Sequence, residues 1–179
     1  MSTPAIPEQA KLVIGVFLKD RDLIGPIAES LAKEFGPPDM VSRWLPFDYT
    51  DYYEPEFGSP LYRRIFSFAS LVEQDSLADV KLVTNEIEKR FTSGKKRLAN
   101  IDPGFLTRER FVLATGKNFA HRIYLGRGIY ADLTLIYRKK EFHALEWTYP
   151  DYAQGDLNRF LLLARERYVW GLQANSSRP

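Results

Sequence analysis

The stretch ATGKNFAHRIYLGRGIYADLTL, residues 114–135, concentrates the groups best suited to hold an anion and move a proton. Thr115, Gly116, Lys117 and Asn118 read as a short turn between strands, with His121 and Arg122 close behind. A lysine ammonium and an arginine fork hold phosphate or carboxylate, and glycine lets backbone N–H groups approach it. His121 is the acid–base candidate, because it is the histidine that lies in this polar cluster. Strand alternation sets a condition on that role. A strand that includes His121 puts it with Ile123 and Leu125, on the core side, and puts Arg122 with Tyr124 and Gly126. His121 and Arg122 share a cleft only if the strand starts after the histidine. Arg122 is therefore the firmer anion ligand, with Tyr124 beside it. The stretch is not a Walker A loop, since Phe111 and Asn118 stand where that motif has glycine and Ser/Thr. Anion binding here rests on charge, and a plain surface turn is the competing reading.

Three further clusters carry polar groups. In LVTNEIEKR, Thr84 interrupts an apolar helical stripe, Lys81 and Glu88 flank it on one side, and Asn85 sits beside them. Thr84, Asn85 and Glu88 would then face a cleft; the alternative is a buried threonine bonded back to a carbonyl beside an ordinary ion pair. In ANIDPGF, Asp102-Pro103-Gly104 reads as a type II turn that places Asn100 and Asp102 at a strand end. In FDYTDYYEPEFG, Tyr52 and Tyr53 supply rigid amphipathic rings. Asp48, Asp51, Glu54 and Glu56 would face Lys81, Lys117, His121 and Arg122 across the cleft. Glu56, Asp102 or Glu146 would orient the histidine or hold a hard divalent ion. A metal is not favoured: His121 and His143 are far apart, and any ion held would be oxygen-ligated magnesium or manganese rather than zinc.

These groups need elements to position them. Lys11–Leu18 is an unbroken apolar run, read as a buried central strand. Asp22 caps a helix with Leu23, Ile27, Leu31 and Phe35 on one stripe, ended by Gly36-Pro37-Pro38. The chain is then extended from Val41 to Tyr53, and Leu61–Val72 reads as a strand. Ser76 and Asp79 form an S-x-x-D capping box for a helix carrying Leu77, Val80, Ile87 and Phe91. Strands follow near residues 98–101, 111–115 and 122–125. A hairpin over residues 129–149 comes next, and then a last amphipathic helix. A three-residue hairpin loop, Lys139-Lys140-Glu141, would pair Asp132 with Thr148 and Thr134 with Glu146 on one polar face.

The expected fold is a single α+β domain over residues 11–173, a mostly antiparallel mixed sheet with about three packed helices. Residues 1–10 and 174–179 form tails, and the opening strand–helix–strand unit suggests some parallel pairing. The 179 residues suffice for one core, and 45% apolar with 27% charged is a soluble profile. A net charge of +2 argues against nucleic acid as the main partner. The basic runs Lys95-Lys96-Arg97 and Arg138-Lys139-Lys140 read as solvated turns. The absence of cysteine excludes disulfides and thiol catalysis and suits the cytoplasm. Neither a signal peptide nor a membrane span is expected.

TDYYEPEFG, LVTNEIEKR, ANIDPGFLT, LATGKNFAHRIYLGRGIYADLTL and EWTYPDY together resemble the recurring blocks of a prokaryotic family catalogued as domain-of-unknown-function family 4416. The resemblance spans most of the chain, from the first expected strand into the last helix. Members are sometimes labelled GTP-binding proteins, but this sequence has neither a Walker A loop nor an Asn-Lys-x-Asp motif. The resemblance brings no catalytic residues; it implies that the blocks belong together. The expectation is a polar, tyrosine-rich cleft for a small anionic metabolite, phosphorylated or nucleotide-like. The chain would act as an enzyme on that metabolite, as a non-catalytic sensor, or as an interaction module using its tyrosines.

Overall fold

A computed structural model describes every residue except Met1, Tyr49, Lys95, Gln154 and 177–179, so part of each expected tail and the first residue of one basic run lie outside it. The chain runs β1 (Ala10–Leu18), α1 (Ile24–Phe35), β2 (Pro38–Val41), β3 (Leu45–Pro46), α2 (Glu54–Phe57), β4 (Tyr62–Val72) and α3 (Leu77–Arg90). It continues through β5 (Thr92–Ser93), β6 (Lys96–Arg97), β7 (Ala99–Leu106), β8 (Arg110–Thr115), β9 (Arg122–Gly126), β10 (Ile129–Arg138) and β11 (Glu141–Ala144) to α4 (Pro150–Ala153) and α5 (Gly155–Ser176).

The fold is α+β. Among the described residues one sheet runs β11-β10-β8-β7-β1-β4-β2, with β3 added to β4 and β9 to β10; β5 and β6 form a separate ribbon. Every described pairing is antiparallel. The parallel pairing expected of the opening unit does not form, because β4 lies between β1 and β2. β1 is buried throughout, since both its faces are covered. Leu12, Ile14 and Val16 join Ile27 and Leu31 of α1 and Val80 and Ile87 of α3. Val13, on the opposite face, joins Leu157, Phe160 and Leu161 of α5. Phe17 packs with Phe47, Phe57 and Leu61. No helix among the described residues is long and apolar enough to cross a membrane.

Several local expectations are corrected. Asp20, not Asp22, is the capping side chain: it accepts from the Asp22 N–H and closes a short turn before α1. The Ser76–Asp79 box does not form, because a preceding turn holds Ser76 in helical backbone and its hydroxyl donates to the Glu73 carbonyl. The stretch 41–53 is not extended throughout; after β3 it turns, and Asp51–Tyr53 coil into α2. Glu8 and Gln9, expected in a loose tail, bond Arg108 and Glu73, and α5 runs on to Ser176.

Asp102-Pro103-Gly104 is not a turn but the middle of β7, opposite Gly15, Ile14 and Val13 of β1. Pairing with β8 begins only at Gly104, so Pro103 sits where one side of the strand has no ladder to break. Gly104 is required for space: a Cβ there would lie 2.7 Å from Phe111 Cζ and 2.8 Å from the Val112 carbonyl.

The hairpin register also differs by one residue. Its loop is Lys139-Lys140, both at positive φ (52° and 69°), and Leu135, Ile136, Tyr137 and Arg138 pair with Ala144, His143, Phe142 and Glu141. β11 stops at Ala144, so the expected pairs Asp132–Thr148 and Thr134–Glu146 are not formed. Instead Thr148 Oγ1 donates to the Thr134 carbonyl at 2.6 Å and Trp147 Nε1 to the Leu133 carbonyl at 2.8 Å.

Candidate functional site

The site is a gap in the sheet. β8 pairs with β7 only from Gly104 to Leu106, which leaves the first half of β7 without that neighbour. Backbone groups there still need partners. The Ile101 N–H donates to Glu88 Oε1 at 2.6 Å, and its carbonyl accepts from Lys81 Nζ at 2.8 Å. Two side chains of α3 thus stand in for a missing strand. Their helical spacing of seven sends both to the same edge.

The gap opens into a pocket of about 350 Å³. Lys81, Asn85 and Glu88 line it from α3, Arg97 from β6, and Asn100 and Asp102 from β7. Leu113, Ala114 and Thr115 of β8 form the other wall, continued by Gly116, Lys117, Arg122 and Asp132, with the rings of Tyr53 and Tyr149 at the side. Most of the charges are already paired. Lys81 Nζ lies 3.2 Å from Asp102 Oδ1, and Asn100 Nδ2 donates to Asp102 Oδ2 at 2.6 Å. Arg97 forks onto Glu56 at 2.7 and 2.8 Å and reaches Glu88 at 3.2 Å. Arg122 Nε donates to Asp132 at 2.9 Å and its Nη1 to the Lys117 carbonyl at 3.0 Å. Lys117 makes no ion pair among the described residues; its ammonium donates to the Tyr52 hydroxyl at 3.0 Å.

Burial pushes the Glu88 carboxyl above its ordinary range, against the pull of Lys81 and of the Ile101 N–H. The Arg97 fork holds Glu56 below that range. Burial, with Asp102 and Tyr149 nearby, raises the Tyr53 phenol to about 12. A carboxyl raised in the folded state binds its proton more tightly folded than unfolded, so its contribution to stability falls as pH rises through the folded value. Glu88→Gln keeps an acceptor for Ile101 and removes the titration. Its melting temperature relative to wild type is expected to climb as pH rises from the ordinary carboxyl range, about 4, through the raised folded value, and then to level off. A difference independent of pH would contradict this.

The pocket gathers Tyr53, Lys81, Asn85, Glu88, Asn100, Asp102, Lys117, Arg122 and Asp132 from the residues singled out in the sequence. Others lie elsewhere. Thr84 has no exposed surface and donates back to the Lys81 carbonyl at 3.0 Å. Thr134 is likewise buried, donating to the Asp132 carbonyl at 3.0 Å. Asn118 and Glu146 are exposed outside the pocket, as are Asp48 and Glu54, while the side chain of Asp51 is outside the described set. Glu56 reaches the pocket through Arg97, and Tyr52 through Lys117 and through its edge-on contact with the Tyr53 ring.

β9 does start after His121, but the histidine and Arg122 share only Asp132 as a partner and not the cleft, which His121 does not line. His121 Nε2 lies 3.2 Å from Asp132 Oδ2. Yet His121 stacks flat on Trp147, centroids 4.7 Å apart, behind the pocket wall. Ile123, Tyr124 and Leu125 are all exposed, so β9 has no core side to draw the ring inward. Glu56, Asp102 and Glu146 do not converge, and among the described residues no three Asp, Glu or His side chains group as a metal site requires.

Sequence reasoning missed Arg97, Thr115 and Tyr149 as pocket residues. Arg97 was hidden in a basic run; its one signal was its position three residues before Asn100, whose Oδ1 it now bonds at 2.9 Å. Tyr149 stood out in EWTYPDY only as one aromatic among several.

No curated protein and no solved structure matches the chain at a significant level. A family model described as Domain of unknown function (DUF4416) matches residues 8–168. That match takes in every strand and helix that lines the pocket, and the chain belongs to this family.

Proposed function

We propose that the pocket binds a small anionic metabolite, phosphorylated or nucleotide-like, in the cytoplasm. The observation that carries this reading is Lys117. It stands at the rim of a concave polar pocket with no carboxylate partner among the described residues, next to Arg122, whose Nη2 donates no hydrogen bond there. An ammonium and a guanidinium edge lining one pocket are the donors a phosphate or carboxylate needs. The pocket's volume falls within the range of about 300–1,000 Å³ usual for small-molecule sites.

Arg122→Ala is expected to weaken binding of such an anion by at least about tenfold, the loss of one charge-assisted contact. His121→Ala should weaken it less, because the ring lies behind Asp132. The measurement is a thermal-shift screen of nucleotides and phosphorylated metabolites on wild type and both variants, followed by calorimetry on any hit. If no anion stabilises the wild type at millimolar concentration, the reading fails. The second reading then takes its place: Phe119 before β9 and Ile123, Tyr124 and Leu125 on it are 65%, 69%, 59% and 42% exposed, an apolar surface suited to an interaction module.

A further inference from the structure

Beside the main pocket lies a smaller chamber of about 70 Å³. The two share Tyr53, Asp102, Leu113 and Tyr149 in their walls, so they are neighbours on either side of those residues. The chamber differs in kind. Rings of Phe47, Tyr53, Tyr149 and Tyr152 line it. Its floor is the buried pair Arg63–Asp151, each 6% exposed. The guanidinium of Arg63 is turned onto the Phe47 ring at 4.3 Å and the Tyr152 ring at 5.3 Å. Asp151 takes its single hydrogen bond among the described residues from Arg63, on Oδ2.

Charge changes sign along this cleft. The main pocket's lining carries Lys81, Arg97, Lys117 and Arg122 against Glu88, Asp102 and Asp132. The chamber's lining carries Arg63 alone against Asp102 and Asp151. Cations exceed carboxylates by four to three at the first end, and carboxylates exceed the cation by two to one at the second, with Asp102 on the boundary and counted in both and aromatic faces added at the second. A ring-lined hollow with excess carboxylate attracts a compact cation, through both the ring quadrupoles and the net charge. It repels a second anion.

We propose that the ligand is a zwitterion. Its anionic group sits at Lys117 and Arg122, and its protonated amine enters the chamber between Tyr53 and Tyr149, against Asp102. This rests on the anion reading above for one end only; the amine end stands on the chamber itself.

The test uses pairs of short alkyl phosphates and ω-aminoalkyl phosphates of increasing chain length, with the free alkylamines as a third arm, measured by calorimetry on the full chain. In wild type the aminoalkyl phosphate of one preferred length is expected to bind at least about tenfold tighter than its amine-free partner. Asp102→Asn should erase that advantage, read as the ratio of the two affinities, since freeing Lys81 shifts the binding of both phosphates together. Asp102 also touches Lys81, so Tyr149→Leu, at a half-exposed ring, serves as the second variant and should cut the advantage several-fold without unfolding the chain. An amine that gives no advantage in wild type overturns the proposal, and so does an advantage that survives both substitutions. If no phosphate binds but a free alkylamine does, in a manner that depends on Asp102, the anion reading falls and the amine site stands. If neither binds, both fall.

Discussion

Arg63→Met is expected to destabilise the fold by about 3–5 kcal/mol, the usual effect of leaving a buried ion without its partner. Arg63 and Asp151 are each about 7% exposed at the side chain and bonded to each other. Methionine fills much of the same volume, so packing alone does not explain a loss of that size. Asp151 would be left as a carboxylate under Tyr152 and Phe47 with no cation. The guanidinium also lies within 6 Å of three rings, Phe17, Phe47 and Tyr152, which methionine contacts only in part. Asp151→Asn placed in the same chain should recover at least half of the loss, because the stranded charge is then gone. Urea denaturation of the two variants beside wild type measures this. A single-variant loss below about 1 kcal/mol would mean that the pair is no stronger than a surface ion pair.

Gly104→Ala is the second large effect, expected at about 3 kcal/mol, the upper end of overpacking. The added methyl would meet Phe111 Cζ at 2.7 Å and the Val112 carbonyl at 2.8 Å. The phenyl has little room to yield, since Phe111 is 1% exposed in the core beneath α5. The carbonyl belongs to the neighbouring strand, so relief means pushing β8 away from β7. Those strands touch only over Gly104–Leu106. Gly104→Ala should therefore widen the gap and disturb both pocket walls, giving a lower melting temperature together with weaker ligand binding. A variant that melts like wild type would show that β8 can shift at no cost.

The two positions mark what a sequence can and cannot reveal here. The β1 run and the α3 stripe were legible because each is a strong periodic signal within one element. Lys81, Asn85 and Glu88 were legible for the same reason: their spacing alone puts them on one side of a helix. Asp102-Pro103-Gly104 misled because Pro-Gly is the local mark of a turn. Its true reason is tertiary, a proline where β8 has departed and a glycine under Phe111. The hairpin register slipped by one because lysines occupy two positive-φ positions that usually carry asparagine or glycine. Without those marks, a two-residue loop and a three-residue loop look alike. Arg97 was missed because its bidentate partner, Glu56, lies 41 residues away along the chain and is joined to it only by the fold.

The gap between β7 and β8 also bears on the order in which the molecule comes together. Its lining is drawn from positions between Tyr53 and Tyr149. β1, beside it, joins chain ends remote from one another: Gly15 lies opposite Ile65 on one edge and Asp102 on the other. Long loops must close before any of these contacts form, which makes such a sheet slow to assemble. The pocket is complete only once β1, β4, β7 and β8 are all in place. The proposed ligand would gain its contacts only after that closure, so the expected effect of adding it is slower unfolding with an almost unchanged folding rate.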